Sequence, residues 1–93
     1  MYAKFIEATE LVHNTIGKNK NHPNYFKLDA LMSQALTGDI NYKRPNRLTK
    51  FWIDTRKWDA WNALKGMTQE VAMRKYISLA TKVCNQTVMI LLV

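Results

Sequence analysis

The sequence has few of the residues that break helices or cross-link chains: three Gly, two Pro and one Cys among 93 residues. So few breakers favour long helices over a turn-rich sheet. The single cysteine, Cys84, excludes an internal disulfide and agrees with a reducing, cytoplasmic compartment. Because Cys84 lies in an apolar helical pattern, we expect a buried, inert thiol rather than a nucleophile. The length predicts one domain with a single modest core.

Long apolar runs are also absent. The N-terminal segment 1–10 is charged early and lacks an apolar centre, so it does not resemble a secretory signal. No run approaches the ~18 apolar residues that span a bilayer. Residues 88–93 are all apolar, and two interpretations stay open: a final helical turn or strand-like tail that covers the core, or a chain that continues into a membrane anchor.

Acidic residues are scarce: 7 against 14 basic residues, with a net charge of +7 and a pI of 9.8. This surplus implies an acidic partner, which is nucleic acid, an anionic membrane surface or a phosphate-bearing small molecule. Nucleic acid is the weakest of these, because the basic residues are not concentrated in one helix or arm.

Motifs for metal, nucleotide or covalent chemistry are missing. There is no CxxC, and neither His13 nor His22 has a second ligand at a metal-binding spacing. The three glycines are isolated. A trio of Ser33, His13 and Asp29 is the kind that any helical protein offers by chance. We therefore expect no enzymatic activity, no metal and no cofactor.

Apolar spacing predicts four helices. They cover 2–16, 24–37 and 52–64, and the fourth follows an N-cap at Thr68 and continues to about Asn85 or beyond. An ordered loop, in which Asp39 and Asn41 can bond to the backbone, joins the second and third helices. The apolar stripes are Phe5, Ala8, Val12 and Ile16; Leu28, Leu31, Ala35 and Leu36; Trp58, Trp61 and Leu64; and Met73, Tyr76, Ile77, Ala80, Val83 and Cys84. The sum is a small, all-α, antiparallel four-helix bundle.

The third helix carries the best chemical feature, in the stretch "RKWDAWNALKG". Lys57 and Trp61 are four apart and share a helix face, whereas Trp58 is turned about 100° away from Lys57. A core position is the simpler interpretation of Trp61, and the two interpretations of Trp58 are evenly balanced. A cation beside an indole matches a ligand with a phosphorylated head and an apolar tail.

Six segments of the chain form a recognisable pattern: "FIEA" (5–8), "QA" (34–35), "GDIN" (38–41), "RP" (44–45), "KWDAWNALKG" (57–66) and "AMRKYI" (72–77). With these segments the sequence resembles the acyl-CoA-binding protein family. They occur in the family's order, and a tryptophan pair within "KWDAWN" followed by "LKG" is highly specific.

The resemblance implies an up-down-down-up four-helix bundle that binds long-chain fatty acyl-CoA esters one to one without catalysis. It implies a cytoplasmic monomer that keeps acyl-CoA soluble and delivers it to acyl-CoA-using enzymes. We expect the acyl-CoA-binding domain to cover 1–87 and the apolar tail to cover 88–93. An alternative stays open: a divergent member that acts as a lipid-related protein–protein adaptor, with weak or no acyl-CoA binding.

Four site residues follow from the family pattern. Lys57 matches the lysine that meets the 3′-phosphate, and Tyr76 matches a head-group tyrosine of the fourth helix. Trp58 matches the indole that covers the acyl chain. Phe5 matches an aromatic residue near the groove.

Other positions depart from the pattern. His13 replaces a lysine, and an imidazole carries a positive charge only in acid solution. The second helix has Asp29, Met32 and Ser33 where the family typically has two tyrosines and a lysine. The loop before "KWDAWN" is about two residues longer than usual, so Lys50 has no assigned role.

Neighbouring residues can replace the missing contacts. Tyr25 lies one turn before Asp29 and shares its face, so it can supply a ring for adenine. Met32 can pack on adenine through its polarizable sulfur. Arg56 can pair with Asp29 or bind a phosphate. Tyr25, Met32 and Arg56 therefore complete the predicted site.

Overall fold

The computed structural model describes residues 1–45 and 55–92, with side chains described as far as residue 85. All regular secondary structure within these ranges is helical. The elements are α1 (Tyr2–Thr15), α2 (Tyr25–Thr37), α3 (Thr55–Asn62) and α4 (Gln69–Leu92). The predicted all-α class is confirmed. The first part of the loop between α2 and α3 is described, whereas residues 46–54, which include Lys50, lie outside the described ranges.

The first two helices begin and end within one residue of the prediction. Ile16 lies just after α1, and its N–H donates to the Val12 carbonyl at 2.9 Å. Gly17 then adopts a φ of 54°, a left-handed conformation that glycine reaches without a steric penalty from Cβ. The chain leaves α1 at Gly17, and this turn forms part of the edge of a pocket.

Helix α3 ends earlier than predicted. Its described part begins at Thr55, because the three preceding residues of the predicted helix lie outside the described ranges. It ends at Asn62 instead of Leu64. The Leu64 N–H donates to the Trp61 carbonyl at 2.9 Å, and the Lys65 N–H donates to the Asn62 carbonyl at 3.1 Å. Both hydrogen bonds span three residues instead of four. Such tightened turns are common at helix ends.

Thr68 caps α4 as predicted. Its Oγ1 accepts a hydrogen bond from the Val71 N–H at 3.1 Å, which satisfies one of the unpaired donors of the first turn. Helix α4 continues to Leu92, so the backbone of the apolar tail is helical rather than strand-like through that residue. In the ranges given above, no helix is both long enough and apolar enough to cross a membrane.

The core lies where α4 packs against α1 and α2, while α3 packs against α2. Its buried residues are Phe5, Ala8, Val12, Leu28, Leu31, Ala35, Ala72, Tyr76 and Ala80. The prediction was wrong for Leu36, which is 52% exposed. Helix α2 faces both α3 and α4, so its buried arc extends toward Ala30 and Gln34 and leaves Leu36 beyond the other edge.

Cys84 is buried, as predicted, with 5% of its surface exposed. Its Sγ lies 3.5 Å from Thr15 Oγ1, so the thiol joins the end of α1 to α4. The Cys84 thiol is a weak hydrogen-bond donor in a packed core, so it behaves as a small apolar side chain.

Candidate functional site

A pocket with a volume of about 250 Å³ lies among α1, α2 and α4, with one lysine from α3. It combines cationic, aromatic and aliphatic side chains. Its lining residues are Thr9, Val12, His13, Ile16, Gly17, Lys18, Tyr25, Leu28, Asp29, Met32, Lys57 and Tyr76.

One wall of the pocket comes from α1. Thr9, Val12, His13 and Ile16 follow one another at steps of three, one and three residues, which places them along one helix face. His13 is exposed at this wall. After the turn at Gly17, Lys18 adds a positive charge on the same side.

The opposite wall comes from α2. Tyr25, Leu28, Asp29 and Met32 lie at steps of three, one and three residues, so they also share a face. Tyr25 is 9% exposed, and its ring meets Phe26 edge-on with centroids 5.1 Å apart. The wall therefore combines an aromatic ring, a carboxylate and a flexible thioether.

Tyr76 of α4 lies at the base of the pocket with 2% of its surface exposed. Phe5 packs edge-on beneath it, with ring centroids 5.2 Å apart. Burial raises the pKa of Tyr76 to about 12, and the nearby Cys84 and Asp29 act in the same direction. The phenol therefore stays neutral at physiological pH and can donate a hydrogen bond into the pocket.

Lys57 provides the cation that faces Asp29. Its Nζ lies 4.0 Å from Asp29 Oδ1 and 5.5 Å from the centre of the Tyr25 ring. Burial raises the pKa of Asp29, and Lys57 and then Lys20 partly oppose that rise. Burial has the larger effect, so the pocket holds a carboxylate that its surroundings compensate incompletely.

Six of the ten predicted site residues line this pocket: His13, Tyr25, Asp29, Met32, Lys57 and Tyr76. The other four lie elsewhere. Phe5 is fully buried below the base, and Ser33 is half-buried on α2. The Arg56 guanidinium lies 4.7 Å from the centre of the Phe26 ring. Lys57 is thus a cation beside Asp29, and the hypothesis that Arg56 pairs with Asp29 or binds a phosphate stays a prediction.

Trp58 is half-buried and lies against the loop that follows α2. Its Nε1 donates to the Tyr42 carbonyl at 3.0 Å. Beside it, Arg44 binds Asp59 through two hydrogen bonds, at 2.9 and 3.1 Å. These contacts fasten residues 42–44 to α3, so Trp58 has a structural role whatever its part in binding.

Trp61 takes part in a buried network centred on Gln34, which is 0% exposed. Trp61 Nε1 donates to Gln34 Oε1 and to the Gly38 carbonyl, both at 3.0 Å. Gln34 Nε2 donates to the Met67 carbonyl at 2.7 Å and to Asp39 Oδ1 at 2.9 Å. The network joins α2 to both ends of the α3–α4 turn and thereby fixes where α3 places Lys57.

Asp39 extends this network to the backbone. Its Oδ1 accepts a hydrogen bond from the Gly66 N–H at 2.7 Å, which bears out the prediction that Asp39 bonds to the backbone. That bond and the Gln34 amide lower the pKa of Asp39. The matched segments "QA", "GDIN" and "LKG" thus meet in one place.

A family model described as "Acyl CoA binding protein" matches residues 2–80. The chain belongs to the acyl-CoA-binding protein family. This is a family of binding proteins that are generally non-catalytic.

Three relatives illustrate the likeness. The chain is 40% identical over 78 residues to "Acyl-CoA-binding domain-containing protein 6 homolog" of Dictyostelium discoideum, which covers 82% of this chain and 26% of that protein. It is 38% identical over 64 residues to "Acyl-CoA-binding domain-containing protein 1" of Oryza sativa subsp. japonica, covering 69% and 68%. "Acyl-CoA-binding protein" of Ricinus communis is 38% identical over 64 residues, covering 69% of each chain. The chain thus spans about a quarter of the Dictyostelium protein and about two-thirds of the other two.

The sequence did not predict that most of the α1 wall lines this pocket. Val12 and Ile16 were assigned to the core, and Thr9 was not considered. The signal was available, because Thr9, Val12, His13 and Ile16 have the spacing of one helix face. Gln34 was seen only as part of a matching segment, and its burial depends on partners far away in the sequence.

The pocket combines positive charge with an aromatic ring and a thioether. Lys57 and Lys18 supply point charges suited to phosphate. Tyr25 and Met32 offer surfaces for a planar base. Within the described residues, no cluster of three or more His, Cys, Asp or Glu side chains is arranged to hold a metal ion.

Proposed function

We propose that this protein binds long-chain fatty acyl-CoA esters one to one, without catalysis, as a cytoplasmic monomer. In this role it keeps an acyl-CoA pool soluble and passes the ester to acyl-CoA-using enzymes. The observation that carries the proposal is the pocket of a family member in which Lys57, Tyr25 and Tyr76 converge from three helices.

The CoA head group occupies this pocket in our proposal. Lys57 binds the 3′-phosphate, Lys18 adds positive charge from the α1 side, and the His13 imidazole offers a hydrogen-bond donor on that side. The adenine ring stacks against Tyr25 and contacts Met32, in place of the family's tyrosines. Stacking of this kind contributes about 1–3 kcal/mol per base.

Asp29 makes the head-group recognition of this chain unusual. It lies in the pocket where the family typically has a tyrosine, and its nearest described cation is also the proposed phosphate ligand. A bound phosphate therefore competes with Asp29 for Lys57. Ser33 removes a further family lysine from the same helix, so we expect the head group to contribute less affinity than in typical members.

The acyl chain accounts for the remaining affinity. Trp58 covers the chain, as the family pattern implies, and Phe5 supports the apolar surface from below. Each methylene removed from water contributes roughly 0.8 kcal/mol, which is about fourfold in the dissociation constant. Affinity should therefore rise steeply with chain length until the groove is filled.

Isothermal calorimetry with palmitoyl-CoA tests the proposal, with free CoA and palmitate as ligand controls. We expect one-to-one binding, and Lys57→Ala should weaken it about tenfold or more, because hydrogen bonds to charged groups contribute about 1.5–3 kcal/mol. Lys4→Ala, on an exposed part of α1 outside the pocket, is the matched control and should bind like the parent. Failure to bind palmitoyl-CoA would support the adaptor alternative.

Tyr25 is tested with a pair of variants. Tyr25→Leu keeps apolar volume but removes the ring, so we expect about fivefold to hundredfold weaker binding of palmitoyl-CoA. Tyr25→Phe keeps the ring and should retain the affinity. If Tyr25→Leu binds as tightly as the parent, Tyr25 does not replace the family's tyrosines.

A further inference from the structure

A second groove, with a volume of about 300 Å³, lies between α2 and α4 beside the α3–α4 turn. Its floor is apolar: Leu31 and Leu79 come from the two helices, and Leu64 and Met67 come from the turn. Among the described residues, this groove and the acyl-CoA pocket share none of their lining. Lys27 and Leu31 lie on a different face of α2 from Asp29 and Met32, so the two cavities open on different sides of that helix.

Three exposed lysines flank the apolar floor. Lys27 lies on the α2 wall, and Lys75 and Lys82 lie on the α4 wall together with the hydroxyl of Ser78. In the part of the chain that the structure describes, no carboxylate is within ion-pair distance of these lysines. Elsewhere on α4, Arg74 does have such a partner in Glu70, at 2.7 Å. The cations of the groove are therefore available to an external anion.

The spacing of the charges favours one kind of anion. Lys75 and Lys82 are seven residues apart, which is about 10 Å along α4, and Lys27 lies across the groove from them. A single phosphate or carboxylate head group is too small to meet charges spread over that distance on both walls. Two turns of an amphipathic helix have the required length, with an apolar face for the floor and acidic residues on both flanks.

We propose that this groove is a docking surface for an acidic amphipathic helical segment of a protein partner. Charge complementarity over both walls and the apolar floor between them are the basis of the proposal. The surface is separate from the acyl-CoA pocket, so a partner can dock while the ligand is bound. The proposal therefore does not depend on the proposed function.

A defined peptide tests the docking surface. The probe is a fluorescein-labelled helical peptide of about four turns. Its leucines follow one another at alternating steps of three and four residues, so they form one apolar stripe, and glutamates lie on both sides of that stripe. We expect saturable binding by anisotropy, with amide chemical-shift changes at Leu31, Ser78 and Leu79 rather than at Tyr25 and Asp29. A peptide with lysine in place of glutamate should not bind.

Two charge-matched variants locate the contact. Lys75→Ala with Lys82→Ala should weaken peptide binding about threefold to tenfold, as expected for two exposed ion pairs. Lys4→Ala with Lys43→Ala removes the same charge outside the groove and should change the affinity little. The two double variants should bind palmitoyl-CoA with equal affinity, because they lose the same charge and neither changes the acyl-CoA pocket. This comparison separates the test from that of the proposed function.

Several results would overturn the proposal. These are no peptide binding, equal weakening by the two double variants, or shift changes confined to the acyl-CoA pocket. It is also overturned if phosphatidylserine vesicles or random DNA bind more tightly than the peptide and depend equally on Lys75 and Lys82. In that case the lysines serve a membrane or a nucleic acid instead.

Discussion

In the proposed head-group pocket, Asp29 is the residue that departs most from the family pattern. It faces Lys57 at 4.0 Å in a half-buried site, and a phosphate at Lys57 would lie close to its carboxylate. Two like charges about 6 Å apart repel by about 1 kcal/mol at an effective dielectric constant of about 55, which lies between the values of about 20 near a protein surface and about 80 in water. Asp29 therefore works against the anion that the neighbouring lysine attracts.

Replacing this carboxylate should tighten binding. Asp29→Asn keeps the shape of the side chain and removes the charge, so we expect palmitoyl-CoA to bind about threefold to tenfold more tightly. Calorimetry at neutral pH and low salt measures the change. The control is Glu7→Gln, on an exposed part of α1, which should have little effect. Weaker binding of Asp29→Asn would instead assign Asp29 a favourable contact with the ligand.

The same residue predicts a pH dependence of stability. Burial raises the pKa of Asp29 in the folded state, so its contribution to the free energy of unfolding is largest below the ordinary carboxyl pKa. That contribution is lost as the pH rises through the raised, folded-state pKa. Asp29→Asn should thus be more stable than the parent at neutral pH, and the difference should shrink in acid. Urea denaturation across this pH range measures it, and a difference that grows in acid would contradict the assignment.

At the scale of the helices, the buried amide of Gln34 holds the bundle in register. It bonds to Trp61 of α3 and to the Met67 carbonyl before α4, so it connects three elements through one side chain. Removing the amide would leave buried partners without a hydrogen bond. Such unsatisfied groups cost about 1–3 kcal/mol each.

Gln34→Met tests this connection, because it keeps the length and flexibility of the side chain but removes the amide. We expect a loss of about 2–3 kcal/mol in the free energy of unfolding. Gln69→Met is the matched control. Gln69 is exposed and its Nε2 donates only to the Ala35 carbonyl, at 3.1 Å, so we expect a loss of about 1 kcal/mol or less. Equal losses of unfolding free energy in the two variants would show that the buried network contributes no more to stability than the single hydrogen bond of Gln69.

The helices were easier to predict than the network that positions them. Apolar spacing located α1, α2 and α4 closely, because each buries a stripe of its own residues against the core. Helix α3 is amphipathic over only a few turns and ends in tightened turns, so its boundaries were less evident. Leu36 was misplaced because helical periodicity does not show which edge of a stripe faces a third helix.

In the pocket, too, contacts between neighbours on one helix were easier to predict than contacts between residues on different helices. The residues that share a face of α2 were recognised together, because their spacing is local. The pairing of Lys57 with Asp29 depends on how α3 lies across α2, so the spacing of residues along one helix did not predict it. Side-chain spacing along one helix is readable, whereas partners on different helices are decided by packing.

At the scale of the whole molecule, the net charge of +7 predicts how the proposed ligand, acyl-CoA, reaches the protein. CoA carries several phosphate charges, and a cationic protein attracts them before contact, which raises association rates by about 10- to 1000-fold. This attraction is screened beyond about 10 Å at 0.1 M salt. We therefore expect the association rate for palmitoyl-CoA to fall steeply with ionic strength, and the dissociation rate to change much less.

Stopped-flow tryptophan fluorescence separates this long-range effect from contacts in the pocket. Lys75→Glu with Lys82→Glu removes about half of the net charge without touching the pocket, so it should slow association and leave dissociation nearly unchanged. Lys57→Ala removes one charge at the proposed phosphate ligand, so it should mainly speed dissociation. If the distant variant speeds dissociation as strongly as Lys57→Ala, its lysines contact the ligand, because a long-range field acts on the encounter and not on the bound complex.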